Sequence, residues 1–178
     1  MSKSVSHKEM VRNIKKILKP VFTHIYVENE KNTGKIQVFN IRELPEKGKN
    51  QYKIAEADIL VYDKEKKLFL IIEPETNSSP KTFGRSLNVY TIAESIKTRE
   101  GEQKIKTAIL LLIVIPNKKE SNKKANQLKF LEKRLKESIN LKNSRLKDFA
   151  FCQIKDFKNV LKNLLKRNGY ESYANLLI

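Results

Sequence analysis

The segment Lys106–Ile115, KTAILLLIVI, constrains this chain more than any other. From Ala108 onward every side chain is apolar, with none of the alternation that marks a strand with one face in water. A strand of this kind must be covered on both sides, so it predicts the centre of a sheet sandwiched between other layers. It is strand length, well short of the roughly 18–20 apolar residues needed to cross a bilayer. No longer apolar run exists, and a membrane partner is not expected.

The surrounding periodicities supply the layers. Ser6 followed by Glu9 is a capping-box pattern, and Met10, Val11, Ile14, Ile17 and Leu18 recur at helical spacing before Pro20 stops the helix. Val21–Val27 and Lys35–Ile41, separated by the turn signal Asn32-Thr33-Gly34, read as a hairpin. After a polar loop from Pro45 to Asn50, strands are expected over Ala57–Asp63 and Lys67–Glu75, joined by a tight turn at Asp63–Lys66. Lys81–Lys97 reads as a helix with Phe83, Leu87, Tyr90 and Ile92 inward and Glu94 and Lys97 outward. Glu120–Ile139 is an amphipathic helix with Leu128, Leu131, Leu135 and Ile139 inward. A strand over Asp148–Ile154, a helix over Phe157–Lys166 with Val160, Leu161, Leu164 and Leu165 buried, and a short closing helix over Tyr170–Ile178 complete the reading. Alternating strands and helices after a β-meander define an α/β fold with a mixed central sheet and helices on both faces. The 178 residues form one domain, with a core of about residues 6–115 and a basic helical part over 116–178.

Charge narrows the partners. Lys and Arg number 37 against 20 Asp and Glu, a net charge of +17. A chain this basic attracts polyanions, nucleic acid first; lysine enrichment from genome bias is the bland alternative. From Pro116 onward there are 16 basic and 6 acidic residues, whereas Glu56 to Glu75 holds 6 acidic residues and 3 lysines. An acidic island thus sits in a basic chain. The single cysteine, Cys152, rules out an intramolecular disulfide framework and fits a reducing cytoplasm. Its apolar neighbours predict a buried thiol. The polar N-terminus carries no secretory pattern.

Within the acidic island the spacing matters. Glu73 and Glu75 are two apart on an expected strand and share a face with Ile71 and Phe69. If the preceding strand pairs antiparallel through the 63–66 turn, Asp58 lies near residue 72, beside Glu73. Converging carboxylates raise one another's pKa, and a divalent cation removes that repulsion. An all-oxygen set favours Mg²⁺, Mn²⁺ or Ca²⁺. Such a metal could polarise a phosphoryl oxygen and activate water for phosphodiester hydrolysis. The competing reading is that these acids are solvated strand ends or lysine partners.

ADIL, a 14-residue gap between Asp58 and Glu73, and IIEPE together resemble the motif of the PD-(D/E)XK nuclease superfamily, which includes restriction endonucleases and Holliday-junction resolvases. The resemblance covers roughly residues 6–115. It implies a restriction endonuclease-like αβββαβ core and a Mg²⁺-dependent (or Mn²⁺-dependent) DNA endonuclease, with Asp58 and Glu73 as metal ligands. Glu9 matches the extra first-helix acid of some members, though it serves equally as the capping partner of Ser6. The sequence departs from the pattern in carrying Ala57 at the Pro position and Glu75 at the lysine position. Some members carry E-x-E with the second Glu near the attacking water; in others a lysine of the following helix substitutes. Lys81 and, behind it, Arg85 stand where such a helix begins. Pro74 between the two glutamates lacks a ladder hydrogen bond and implies a local edge or bulge. By analogy, a homodimer is expected.

Other chemistries find little support. His7 and His24 are the only histidines, with no Cys/His cluster for zinc, and no Gly-rich phosphate loop exists. Lys123, Lys124, Lys133 and Lys136 on the 120–139 helix could track a DNA backbone, or could simply be a solvated face. Tyr90 reads as core rather than a stacking platform. The lysine-to-glutamate change at Glu75 keeps open a non-catalytic nucleic-acid-binding protein on the same fold. A structural or interaction protein is the third possibility.

Overall fold

The computed structural model describes residues 6–76, 79–117 and 121–177. Part of the expected 76–80 loop, the expected helix start at Glu120 and the final residue Ile178 lie outside them. The elements run α1 (His7–Leu18), β1 (His24–Val27), β2 (Gln37–Phe39), β3 (Lys53–Glu56), β4 (Ile59–Tyr62), β5 (Leu68–Pro74), α2 (Pro80–Thr91), β6 (Ser95–Thr98), β7 (Gly101–Lys104), β8 (Ile109–Ile115), α3 (Ser121–Ser138), β9 (Leu146–Gln153), α4 (Phe157–Arg167) and α5 (Glu171–Leu176).

The main sheet has the order β1-β4-β5-β8-β9. The first three strands are antiparallel neighbours, while β8 runs parallel to both β5 and β9. As its composition demands, β8 lies one strand in from the edge with all seven side chains buried. Its odd and even residues feed two separate cores. Ile109, Leu111, Ile113 and Ile115 pack with α2 (Phe83, Leu87, Tyr90) and with Leu128 of α3. Leu110, Leu112 and Val114 pack with α1 (Ile14, Leu18), α4 (Phe157, Leu161, Leu164, Leu165) and Ala174 of α5. Burying each such side chain contributes about 1.5–3 kcal/mol. Cys152 joins the second core as a buried thiol. Among the described residues, no helix is long and apolar enough to cross a membrane.

A second, antiparallel sheet of order β3-β2-β6-β7 packs against the first core through Ile36, Val38 and Ile96. It revises three expectations. The 21–27 and 35–41 segments do not form a hairpin: β1 pairs with β4, and β2 leaves for the small sheet. Asn29 and Gly34, both with φ near +63, turn the chain between them, and Glu28 N–H extends the β1–β4 ladder to the Asp58 carbonyl at 2.8 Å. The first strand begins at His24, because Val21 and Phe22 donate their N–H groups back to Leu18. The 81–97 helix ends at Thr91. Ile92 is exposed, whereas Ser95, Ile96 and Thr98 are buried in β6, whose β-branched residues pair with β2.

The 63–66 turn forms as expected, with Asp63 Oδ1 accepting the N–H groups of Glu65 and Lys67 at 2.9 and 2.8 Å and Lys66 in the left-handed region. A register shift follows it, pairing Val61 with Leu70 but Tyr62 with Leu68. The extra residue, Phe69, consequently packs in the second core, against Phe22 and Tyr173. It does not share the face of Ile71 and Glu73 as strict alternation required.

Candidate metal centre

The β4–β5 register places the carboxylates. Ile59 pairs with Ile72, so Asp58, one residue before β4, falls across from Glu73. Glu73 continues the face of Ile71 towards α2, and Glu75 follows two residues later, its N–H donated to the Val114 carbonyl at 2.7 Å. That bond directs the Glu75 N–H towards β8. The Pro74 nitrogen therefore faces the β4 side, where β4 has already ended. Pro74 sits at a local edge, and its missing donor costs no ladder bond.

Glu73 is 7% exposed, the only carboxylate among the described residues to be classed as buried. Burial drives its pKa well above the ordinary carboxylate value, and the neighbouring Asp58 charge adds to the rise. Asp58 faces Glu73 across the β4–β5 pairing, and the Glu75 charge adds to the rise. Opposing them, the buried Tyr90 hydroxyl donates to Glu73 Oε1. Glu75 is also shifted upward, by burial and by Asp58, although His7, Ser86 and Arg85 pull the other way. The Ser86 hydroxyl approaches Glu75 Oε1 at 3.5 Å. On the far side, Glu28 is raised by burial and by Asp58 and Glu56.

Two contacts of this cluster were not anticipated. His7 Nε2 lies 3.2 Å from Asp58 Oδ1, so a histidine, rather than Glu9, is the α1 side chain beside the acids. Glu9 is exposed and its N–H donates to Ser6 Oγ at 3.2 Å, which is its capping role. Tyr90 is core, as expected, and also orients Glu73. The signal for it is general: a buried tyrosine hydroxyl needs a polar partner.

Lys81 and Arg85 line a cleft of about 350 Å³ with Glu73, Glu75, Ser86 and Tyr90, as their place at the start of α2 predicts. The α3 lysines are less uniform. Lys123 and Lys124 lie in the first turn, and Lys133 is exposed on the same helix. Lys136 is committed elsewhere: it bonds Glu132 at 2.8 Å and Asp148 at 3.0 Å and lies over the Phe149 ring. It is part of the packing of α3 on β9 and does not present a free charge for phosphate.

Among the described residues, no three His, Cys, Asp or Glu side chains are grouped to hold a metal ion as they stand. The donor chemistry nevertheless fits a hard divalent cation. Asp58 and Glu73 supply oxygen donors from facing strand positions, and burial together with the Asp58 charge raises the pKa of both Glu73 and Glu75. No family model matches the chain, and comparison with curated proteins and with solved structures returns no match.

Proposed function

We propose that the chain is a divalent-metal-dependent DNA endonuclease of the PD-(D/E)XK type, with Asp58 and Glu73 as the metal-holding carboxylates. The observation that carries this reading is the register that sets Asp58 against the buried Glu73 at one end of the main sheet. The succession α1, β1, β4, β5, α2, β8 through consecutive sheet positions supports it, since this is the αβββαβ order of the restriction endonuclease-like core. The small sheet then consists of two insertions, β2–β3 and β6–β7.

Asp58 and Glu73 would hold a Mg²⁺ or Mn²⁺ ion. When bound, that ion polarises a phosphoryl oxygen and lowers the pKa of a water ligand. Tyr90 fixes the Glu73 carboxylate against rotation. Glu75, held half-buried near Ser86, is placed to accept a proton from water, and its raised pKa brings it closer to the working range of a general base. Lys81 and Arg85, in the same cleft, offset the charge of a scissile phosphate.

Incubation of the protein with supercoiled plasmid and Mg²⁺ or Mn²⁺ tests the reading. Nicked and linear products are expected from wild type, with Asp58→Ala and Glu73→Ala each slowing cleavage by at least ~10²-fold, about 2.7 kcal/mol in barrier. Equal cleavage by all three proteins, or none on any of several DNA structures, would sink it. Glu75 at the lysine position favours a second reading, DNA binding without cleavage. That version predicts salt-dependent binding that is indifferent to chelators and survives both substitutions.

A further inference from the structure

Asp58, across the strand pairing from Glu73, opens not into the cleft of Glu73 and Glu75 but into a second one. This larger cleft, of about 760 Å³, lies on the α1 side, and Asp58 is part of its lining. Its helical wall carries Lys8 and Arg12, four residues apart and therefore on one face of α1. Both are exposed, and among the described residues neither has a carboxylate within ion-pair distance. The next cation along that face, Lys15, is committed to Glu30 across the cleft, which leaves that part of the far wall neutral.

The opposite helix repeats the arrangement. Lys81 and Arg85 are also four residues apart and exposed on α2, lining the cleft of Glu73 and Glu75. Because α1 packs on the second core and α2 on the first, the two cationic pairs flank the carboxylates from opposite faces of the main sheet. A carboxylate cluster by itself repels a polyanion. Cations placed on both sides of it attract one and centre it on the acids. Four helical residues rise about 6 Å, and one strand of a duplex carries a phosphate every ~3.4 Å of axis, so each pair can engage about two phosphates.

We propose that the sugar–phosphate backbone of one DNA strand crosses the open end of β4 and β5 from α1 to α2, with Lys8 and Arg12 binding phosphates on one side of Asp58 and Lys81 and Arg85 on the other. The proposal rests on the nuclease reading and adds an α1 arm to its substrate contacts. It sets the direction of the strand through the site.

Fluorescence anisotropy of a labelled duplex of about 20 base pairs, in EDTA and across a salt series, tests it. Three double variants each lose two charges: Lys8→Ala with Arg12→Ala, Lys81→Ala with Arg85→Ala, and, as control, Lys158→Ala with Lys162→Ala on α4. The substituted α1 and α2 side chains are exposed, and circular-dichroism melts report whether each variant keeps the fold. The α1 and α2 variants are each expected to bind about tenfold or more weakly at moderate salt. Their plots of log K against log salt should be shallower by roughly 2, near 0.9 per lost contact, with the α4 variant close to wild type. If the α1 variant behaves as the α4 control while the α2 variant weakens, the α1 arm is wrong and the nuclease reading survives. Equal weakening of all three overturns the defined path in favour of diffuse charge attraction. A wild type that binds no duplex overturns the path from α1 to α2, while the nuclease reading is decided separately by the plasmid assay with Mg²⁺ or Mn²⁺.

Discussion

At the scale of single residues, Glu73 dominates. A carboxylate that burial and Asp58 hold well above its ordinary pKa binds its proton more tightly in the folded chain than in the unfolded one. The resulting stabilisation is fully present below the ordinary carboxylate value and is lost as pH rises through the folded value. In the absence of metal, the protein should therefore melt at progressively lower temperature as pH rises above the ordinary carboxylate range. Glu73→Gln keeps the shape of the protonated acid and an oxygen for Tyr90, and so removes that loss. The variant is expected to match wild type near pH 4 and to melt a few degrees higher near pH 8 in EDTA; about 2–4 °C corresponds to each kcal/mol in a chain of this size. Identical pH profiles for the two proteins would mean that Glu73 is not the strained group.

At the scale of elements, the edge strand β9 illustrates how side chains complete a sheet. Two of its outward backbone groups are taken by neighbouring helices: Phe151 N–H donates to Glu132 Oε2 at 3.0 Å, and the Phe149 carbonyl accepts from Arg167 at 2.9 Å. Those two groups are thereby closed to pairing with another chain. Asp148 ties the arrangement together, accepting from Arg167 Nε at 2.6 Å, Asn168 at 2.7 Å and Lys136 at 3.0 Å. Burial pushes its carboxyl up, but the hydrogen bonds from Arg167, Asn168 and Lys136 outweigh burial and bring it down to about 2. A depressed pKa contributes stability that is present above the ordinary value and lost as pH falls towards 2. Asp148→Asn should cost roughly 2 kcal/mol at neutral pH, and its denaturation midpoint should converge with that of wild type as the pH approaches 2. A constant gap between the two down to pH 2 would assign the cost to packing instead.

At the scale of the whole molecule, the fold brings Asp58, Glu73 and Glu75 to one sheet end of a chain whose net charge is +17. A ligand that binds only the folded state stabilises it by mass action. Mn²⁺ at about 100 times its dissociation constant should add ~2.7 kcal/mol, seen as a rise in melting temperature of several degrees near pH 8. Asp58→Asn and Glu73→Gln should abolish the rise, and its persistence in both would place the ion elsewhere. Much of this was legible in the chain. The unbroken apolar run of β8 demanded cover on both faces, the helical spacing of α1 and α4 located their buried sides, and counting across the 63–66 turn set Asp58 against Glu73. Each of these depends on residues close in sequence or on the period of one element. The small sheet was not legible, because strands of three or four residues carry too short a pattern and exist through pairings such as Val38 with Ile96. The helix expected to continue past Thr91 failed for the same reason: β6 is held by β2, a partner more than fifty residues away. Phe69 changed faces because a bulge broke the alternation on which its assignment relied. His7 beside Asp58 and Tyr90 beside Glu73 are contacts between elements that meet only after packing. The sequence by itself therefore determined which segments are buried and which acids share a strand end, since periodicity and burial are local properties of the chain. Tertiary structure alone decided what surrounds those acids, namely a histidine, a buried tyrosine and a cationic pair on either side, because distances between elements are set by how their faces pack.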